Sequence, residues 1–258
     1  MSGWLAALRR ALDTADRPVT FFFRDDDAGW ADDRLWALLD RFAGVALPVD
    51  LAVIPAALAA QPARLLRRRI AASGGLVAAH QHGSTHANHE PEGRKHEFGP
   101  ARTAEQQRYN LARGQRLLAD KLGPAIAPIF TPPWNRCTPT TGRCVAELGF
   151  QVLSRDTTAA PLGLELGPVV ELPVTVDWFA RRKGVRLDRP QLGALLGEAA
   201  AGPRPVGVML HHAITDDPEM EAIGELLELV ARHPAASASP MLQAAGLPAA
   251  TGGGSSGR

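Results

Sequence analysis

Apolar and polar positions change rhythm repeatedly along the chain, and each change marks an element. Residues 19–23 form a β-branched and aromatic run that ends abruptly in Arg24, Asp25, Asp26 and Asp27. That is the profile of a buried strand delivering polar groups at its C-terminal end. From 32 to 43, Leu35, Leu38, Leu39 and Phe42 recur at helical spacing, and 48–54 is a second apolar strand, which completes a β-α-β unit. The rhythm continues with a helix over 57–72, a strand at 76–79, a helix over 103–121 and a strand at 127–130. Further strands are predicted at 151–154, 169–174 and 205–210, with helices between or after most of them. Within 1–20, leucines at helical spacing among Arg9, Arg10, Asp13 and Asp16 predict a short amphipathic helix.

About seven strands alternating with helices imply an α/β protein with a mainly parallel sheet, curled into a distorted (β/α) barrel. No Gly-x-Gly-x-x-Gly follows the first strand, so two nucleotide-binding halves are disfavoured. One domain over 1–246 is expected, followed by a flexible Gly/Ser-rich tail over 247–258. Residues 80–100 are rich in His, Gly, Asn and charge without an apolar period, which predicts a long functional loop at a strand end.

Composition narrows the field. With Lys+Arg 28 against Asp+Glu 27, the net charge of +1 offers no footprint for a nucleic-acid backbone or an anionic membrane surface. No apolar run is long enough for a membrane span, and the N-terminus lacks the uninterrupted apolar stretch of a signal peptide, so a cytoplasmic location is expected. Cys137 and Cys144 are too few for a disulfide scaffold and match no common zinc spacing.

The histidines carry the chemistry. Five of eight, His80, His82, His86, His89 and His96, crowd into one segment, while His211 and His212 form a second cluster far along the chain. A divalent ion such as zinc takes imidazole and carboxylate ligands, and a catalytic site keeps one position open. His82 and His86 have the spacing to share an ion, with Asp26 or Asp27 as third ligand. Three consecutive aspartates would repel one another unless a cation compensates, and a metal with Arg24 would do so. A carboxylate beside the ion, but not on it, is placed to act as base. Residues 130–136, Phe-Thr-Pro-Pro-Trp-Asn-Arg, follow a strand, and the double proline stiffens them. There Trp134 can stack on a sugar and its backbone N–H can help hold an oxyanion. His211 ends another apolar strand and suits a general acid.

Taken in order, the acidic strand end, His82-Gly83-Ser84-Thr85-His86, Pro132-Pro133-Trp134 and Leu210-His211 resemble the polysaccharide deacetylases, the NodB-homology or carbohydrate esterase family 4 group. The likeness runs from about Thr20 to His212. It implies a distorted barrel that uses an Asp-His-His metal triad, an Asp base and a His acid to remove acetyl groups from sugars. The family's Thr-Phe-Asp-Asp can be laid on residues 24–27 or one position earlier; the former is preferred, because Ala28 then takes the family's glycine position. It makes Asp26 the base and Asp27 a metal ligand with His82 and His86, while His211 is the acid. Pro133, Trp134, Asn135 and Arg24 are the expected substrate-binding residues. Gly83 replaces a hydroxyl residue of the family pattern. Thr131 replaces the arginine that holds the catalytic carboxylate, so Arg24 or Arg136 must substitute for it. His212 replaces an aspartate beside the acid.

The resemblance thus implies a hydrolase in which metal-activated water removes an acetyl group from an N- or O-acetylated sugar or a related small molecule. The ion would be zinc, with cobalt, nickel or manganese as alternatives. A non-catalytic barrel that binds a glycan or metabolite, or a hydrolase of non-sugar amides, are the competing readings.

Overall fold

A computed structural model describes residues 3–124, 126–163 and 166–248. The sheet is parallel throughout, and it is built in chain order from β1 (Val19–Ala28), β2 (Val49–Val53), β3 (Val77–His82), β4 (Ile126–Thr131), β5 (Val152–Leu153), β6 (Val170–Glu171) and β7 (Val176–Asp177). A small antiparallel hairpin, β8 (Arg181–Arg182) and β9 (Val185–Arg186), stands apart, and β10 (Val206–Leu210) and β11 (Ala236–Ala238) return to the sheet. The order β6-β5-β4-β3-β2-β1-β10-β7 curls the sheet into a distorted barrel, with β11 pairing the start of β1.

One continuous segment bridges the two edges. The N–H groups of Val170, Leu172 and Val174 donate to the carbonyls of Gln151, Leu153 and Arg155, and those of Thr175 and Trp178 then donate to Gly207 and Met209. The same stretch therefore pairs the β5 side with its first half and the β10 side with its second. Splitting its hydrogen bonds in this way leaves only two-residue strands; β6 falls inside the strand expected at 169–174, whereas β7 lies beyond it and shows no pattern of its own.

Helices α1 (Ala6–Asp13), α2 (Asp32–Gly44), α3 (Ala60–Ala72), α4 (Ala104–Leu122), α5 (Pro139–Glu147), α6 (Arg189–Ala201) and α7 (Asp217–Arg232) surround the sheet. Leu35, Leu38, Leu39 and Phe42, the helical stripe of α2, join Phe21 and Phe23 of β1 in the main core. Each such side chain contributes roughly 1.5–3 kcal/mol by leaving water. Phe22, which points the other way, fills the barrel interior with Ile129, Val152, Val174 and Met209. The short α8 (Met241–Ala244) adds Met241 and Leu242 to this interior cluster, and Asp50 Oδ2 accepts the Met241 N–H at 2.9 Å. Leu247 packs on the same cluster, so packing extends one residue beyond 246; most of the expected tail, 249–258, lies outside the described residues. Among the described residues no helix is long and apolar enough to cross a membrane.

Two strands run further than their apolar pattern. β1 continues through the aspartates to Ala28, and β3 takes in His80, Gln81 and His82, which the sequence assigned to a loop. Near the C-terminal ends of parallel barrel strands the inward positions face a site rather than a dry core. Polar residues there belong to the strand.

Candidate metal centre

Consecutive residues on a strand point to opposite faces, so Asp26 and Asp27 should not both face one site. β1 breaks that rule locally. Its register against β2 shifts between Asp25 and Ala28, and Asp27 takes the left-handed φ of 69°. The irregularity gives the three aspartates three different partners. Asp25, fully buried, meets His212 (Oδ2 to Nδ1, 2.6 Å). Asp26 is gripped by both arms of the Arg24 fork (Nε–Oδ1 2.8 Å, Nη2–Oδ2 2.9 Å). Asp27 Oδ1 lies 3.3 Å from Nε2 of both His82 and His86.

The two imidazoles arrive by different means. His82 is the last residue of β3, and its Nδ1 donates to the Thr131 carbonyl at 3.0 Å, which leaves Nε2 as the nitrogen facing Asp27. His86 follows on a loop and sits at φ 57°. Glu97, completely buried, holds that loop: its carboxylate accepts the backbone N–H groups of Ser84, Thr85 and His86 and the Thr85 hydroxyl. This explains the glycine at position 83. With φ at +60°, a Cβ there would run into Glu97 Oε2 and approach Pro133 Cγ to 2.6 Å. A buried carboxylate holds the loop, and a larger residue at 83 has no room beside it.

Asp27, His82 and His86 each offer one ligand atom, all within 4.8 Å of one another. Asp27 Oδ1 is buried without a hydrogen-bond partner, an orphan that a cation would satisfy. An O, N, N donor set suits a divalent ion of zinc type. Burial pushes the Asp27 carboxyl up, but the close approach of His82 and the fields of His82, His211 and His86 outweigh it and bring it down to about 2. Burial and the neighbouring His82 bring His86 down to about 4. Burial lowers His82, but the Asp27 contact and the charges of Asp26 and Asp27 raise it overall; a cation requires an ionised carboxylate and neutral imidazoles, so it would bind with loss of any proton on His82.

Around this centre several expected residues do something else. Arg24 and Asn135 were expected to bind substrate; instead Arg24 is wholly buried, and Asn135 Oδ1 accepts from its Nη2 at 2.7 Å. Ser154 Oγ and the Ser154 carbonyl take Nη1. The guanidinium is thus committed to Asp26 and its own supports, inside the barrel and out of reach of a ligand. Of the two arginines expected to stand in for the one Thr131 replaces, Arg24 is the one that grips Asp26, and Arg136 donates to the Lys95 carbonyl. Thr131 Oγ1 meets His80 Nε2 at 2.9 Å. His80 is held well below its ordinary value by burial and by the charge of Arg24. Pro133 is likewise buried, beside Gly83, rather than exposed as a substrate wall. Trp134 keeps an open position, with φ 56° and its ring 4.6 Å from that of His86.

At the end of β10, His211 is half-buried, its ring 6.3 Å from Phe179 and near enough to Asp27 and Asp177 to draw both carboxylates down. Asp177, at the end of β7, went unnoticed in the sequence. Burial pushes it up, and Phe179 N–H donates to it at 2.8 Å. Its signal was an acidic residue closing an apolar stretch, as in β1, but on a strand two residues long. Trp30, also unremarked, exposes its ring at 5.0 Å from His86.

No protein-family sequence profile matches the chain, and no curated protein sequence matches it. Solved structures do. A protein from Mycobacterium smegmatis described as a polysaccharide deacetylase superposes with a TM-score of 0.66 at 17% identity, covering 90% of this chain and 91% of that one. A family 4 acetyl xylan esterase from Clostridium thermocellum, in complex with cobalt, gives 0.58 at 14% identity over 90% and 94%. A carbohydrate esterase family 4 pseudoenzyme from Bacillus anthracis gives 0.59 at 11% identity over 89% and 66%. The fold is therefore the distorted barrel of the family 4 deacetylases and esterases, and it carries an Asp-His-His cluster able to hold a metal.

Proposed function

We propose that the protein is a metal-dependent deacetylase that hydrolyses the acyl bond of an N- or O-acetylated sugar or a similar small molecule. The observation that supports this reading best is the buried, unpartnered Asp27 Oδ1 facing His82 and His86, with a second, separately anchored carboxylate next to it in Asp26.

Asp27, His82 and His86 would hold the ion, zinc in the first instance, which when bound supplies Lewis acidity at the acyl oxygen and eases ionisation of a water. Asp26 takes the proton of the attacking water. Its carboxylate has about four lone-pair positions, of which the Arg24 fork uses two, so it can accept while held still. The new carbon–oxygen bond forms as the carbon–nitrogen or carbon–oxygen bond to the sugar breaks. His211 gives its proton to the departing amine or alkoxide, and the Trp134 N–H and ring orient the acyl end. Acetate and a free amine or hydroxyl leave.

The test is acetate release from a panel of N- and O-acetylated sugars by protein loaded with zinc, cobalt, nickel or manganese. Asp26→Asn is expected to keep the metal and lose ~10²–10⁴-fold in kcat. A panel without acetate under every metal would overturn the reading in favour of a binding barrel, a reading that the pseudoenzyme among the neighbours keeps open. Amide cleavage without acetate would favour a non-sugar substrate.

A further inference from the structure

Most carboxylates of the site are engaged, Asp25 by His212, Asp26 by Arg24, Glu97 by backbone N–H groups and Asp177 by the Phe179 N–H, while Asp27 faces the two imidazoles. The cations at its mouth are not. Lys95 Nζ stands 6.0 Å from the centre of the Trp134 ring, which itself lies against His86. Arg136 donates to the Lys95 carbonyl at 3.2 Å, and Arg94 is close enough for its charge to act on Arg136. Among the described residues, no carboxylate comes within ion-pairing distance of Arg94, Lys95 or Arg136, although the charge of Asp156 acts on Arg136 from further off.

On the opposite side of the site Arg186 lies 4.4 Å from the Phe179 ring, beside His211, and shares the Glu219 carboxylate with Arg189, each at 2.6 Å. Around Trp134 the three cations stand together with no ion-paired carboxylate among them, in a chain whose overall charge is only +1. Like charges held together without a counter-ion favour an incoming anion.

Resting on the deacetylase reading, we infer that the substrate carries an anionic substituent, a carboxylate or a phosphoryl group, which docks against Lys95, Arg136 and Arg94 beside Trp134. This names a substrate class, acidic acylated sugars, and a specificity element distinct from the reacting groups.

The experiment compares N-acetylglucosamine, N-acetylglucosamine 6-phosphate and N-acetylglucosaminuronate with the zinc-loaded protein at low and high salt. The expected kcat/KM for at least one anionic sugar exceeds that of the neutral one by about tenfold, through KM, and the ratio falls as salt screens it. Preference between the two acids distinguishes phosphoryl from carboxylate. The surface variant Lys95→Ala/Arg136→Ala is expected to bring the anionic-to-neutral ratio close to one. A wild-type ratio of one or less, or a ratio that the double variant leaves intact, overturns the inference. If none of the sugars releases acetate, the deacetylase reading fails instead. Equilibrium binding of the same sugars then decides: tighter, salt-sensitive binding of an acid supports the docking site, and equal binding removes it.

Discussion

Two pairs of histidines end up at the same barrel mouth with opposite fates. His82 and His86 both turn Nε2 towards Asp27, and their remaining supports are a carbonyl and a loop held by Glu97. His211 and His212 are neighbours in sequence, yet only His211 faces the site. His212 is fully buried and has both ring nitrogens occupied, Nδ1 on Asp25 at 2.6 Å and Nε2 on the Trp30 carbonyl at 2.7 Å. Both partners accept, so both nitrogens donate and the ring is an imidazolium. Burial alone would lower its pKa; the Asp25 charge and hydrogen bond and the Trp30 carbonyl bring it up to about 9. What separates a ligand from a structural cation is therefore which nitrogen an acceptor has already taken.

The widest separation between the pairs is expected on metal binding. Asp27→Ala or His82→Ala should abolish stoichiometric zinc in the purified protein, measured by elemental analysis, and with it any acetate release. His212→Ala should retain the metal in whatever fraction folds. Zinc retained in the first two variants, or lost from folded His212→Ala, would erase the distinction.

On stability the order reverses. Removing His212 leaves the Asp25 carboxylate buried and uncompensated, a change on the order of 3–5 kcal/mol in urea unfolding of metal-free protein. The pH dependence carries the same signature. Because the folded-state pKa of His212 is raised, its contribution is fully present below the unfolded value near ~6.5 and is lost as pH rises through about 9, roughly 3 kcal/mol in all. Asp50 works in an earlier window. Burial raises it to about 7 against the Met241 hydrogen bond, so its contribution fades between the ordinary carboxylate range and neutrality. His212→Gln should flatten the alkaline limb and Asp50→Asn the acid one. An unchanged alkaline slope in the first would show that His212 is not charged when folded.

Much of this site was legible in the sequence because it sits where apolar strands end in polar residues. β1, β3, β4 and β10 are long enough to show that break, and Asp26, Asp27, His82, His86, Trp134 and His211 all lie on or just past it. Asp177 lies at the end of a strand too short to carry a pattern. The side-chain partners were only half legible. The resemblance left Arg24 and Arg136 as candidates to hold Asp26, and nothing in the spacing chooses between them, because the choice depends on where Thr131, far along the chain and occupied with His80, sits against β1. Position along a strand can be read from one sequence, whereas pairing across strands requires the register.

The smallest expected effect tests the loop that holds His86 against Asp27 and His82. Glu97→Gln nearly preserves shape but removes the charge, and one amide oxygen cannot serve three N–H groups and a hydroxyl as two carboxylate oxygens do. His82 keeps its own anchor on the Thr131 carbonyl, so one imidazole and Asp27 remain in place while the other loses its fixed backbone. Metal affinity, measured by chelator competition, is expected to weaken by about 10–100-fold, and the visible spectrum of cobalt-loaded protein should change with the altered ligand field. Glu97→Asp, which retains the charge on a shorter arm, should recover part of the affinity. Equal affinity in wild type and Glu97→Gln would mean that the loop holds His86 without its carboxylate, and that the two imidazoles differ less in their anchoring than their partners suggest.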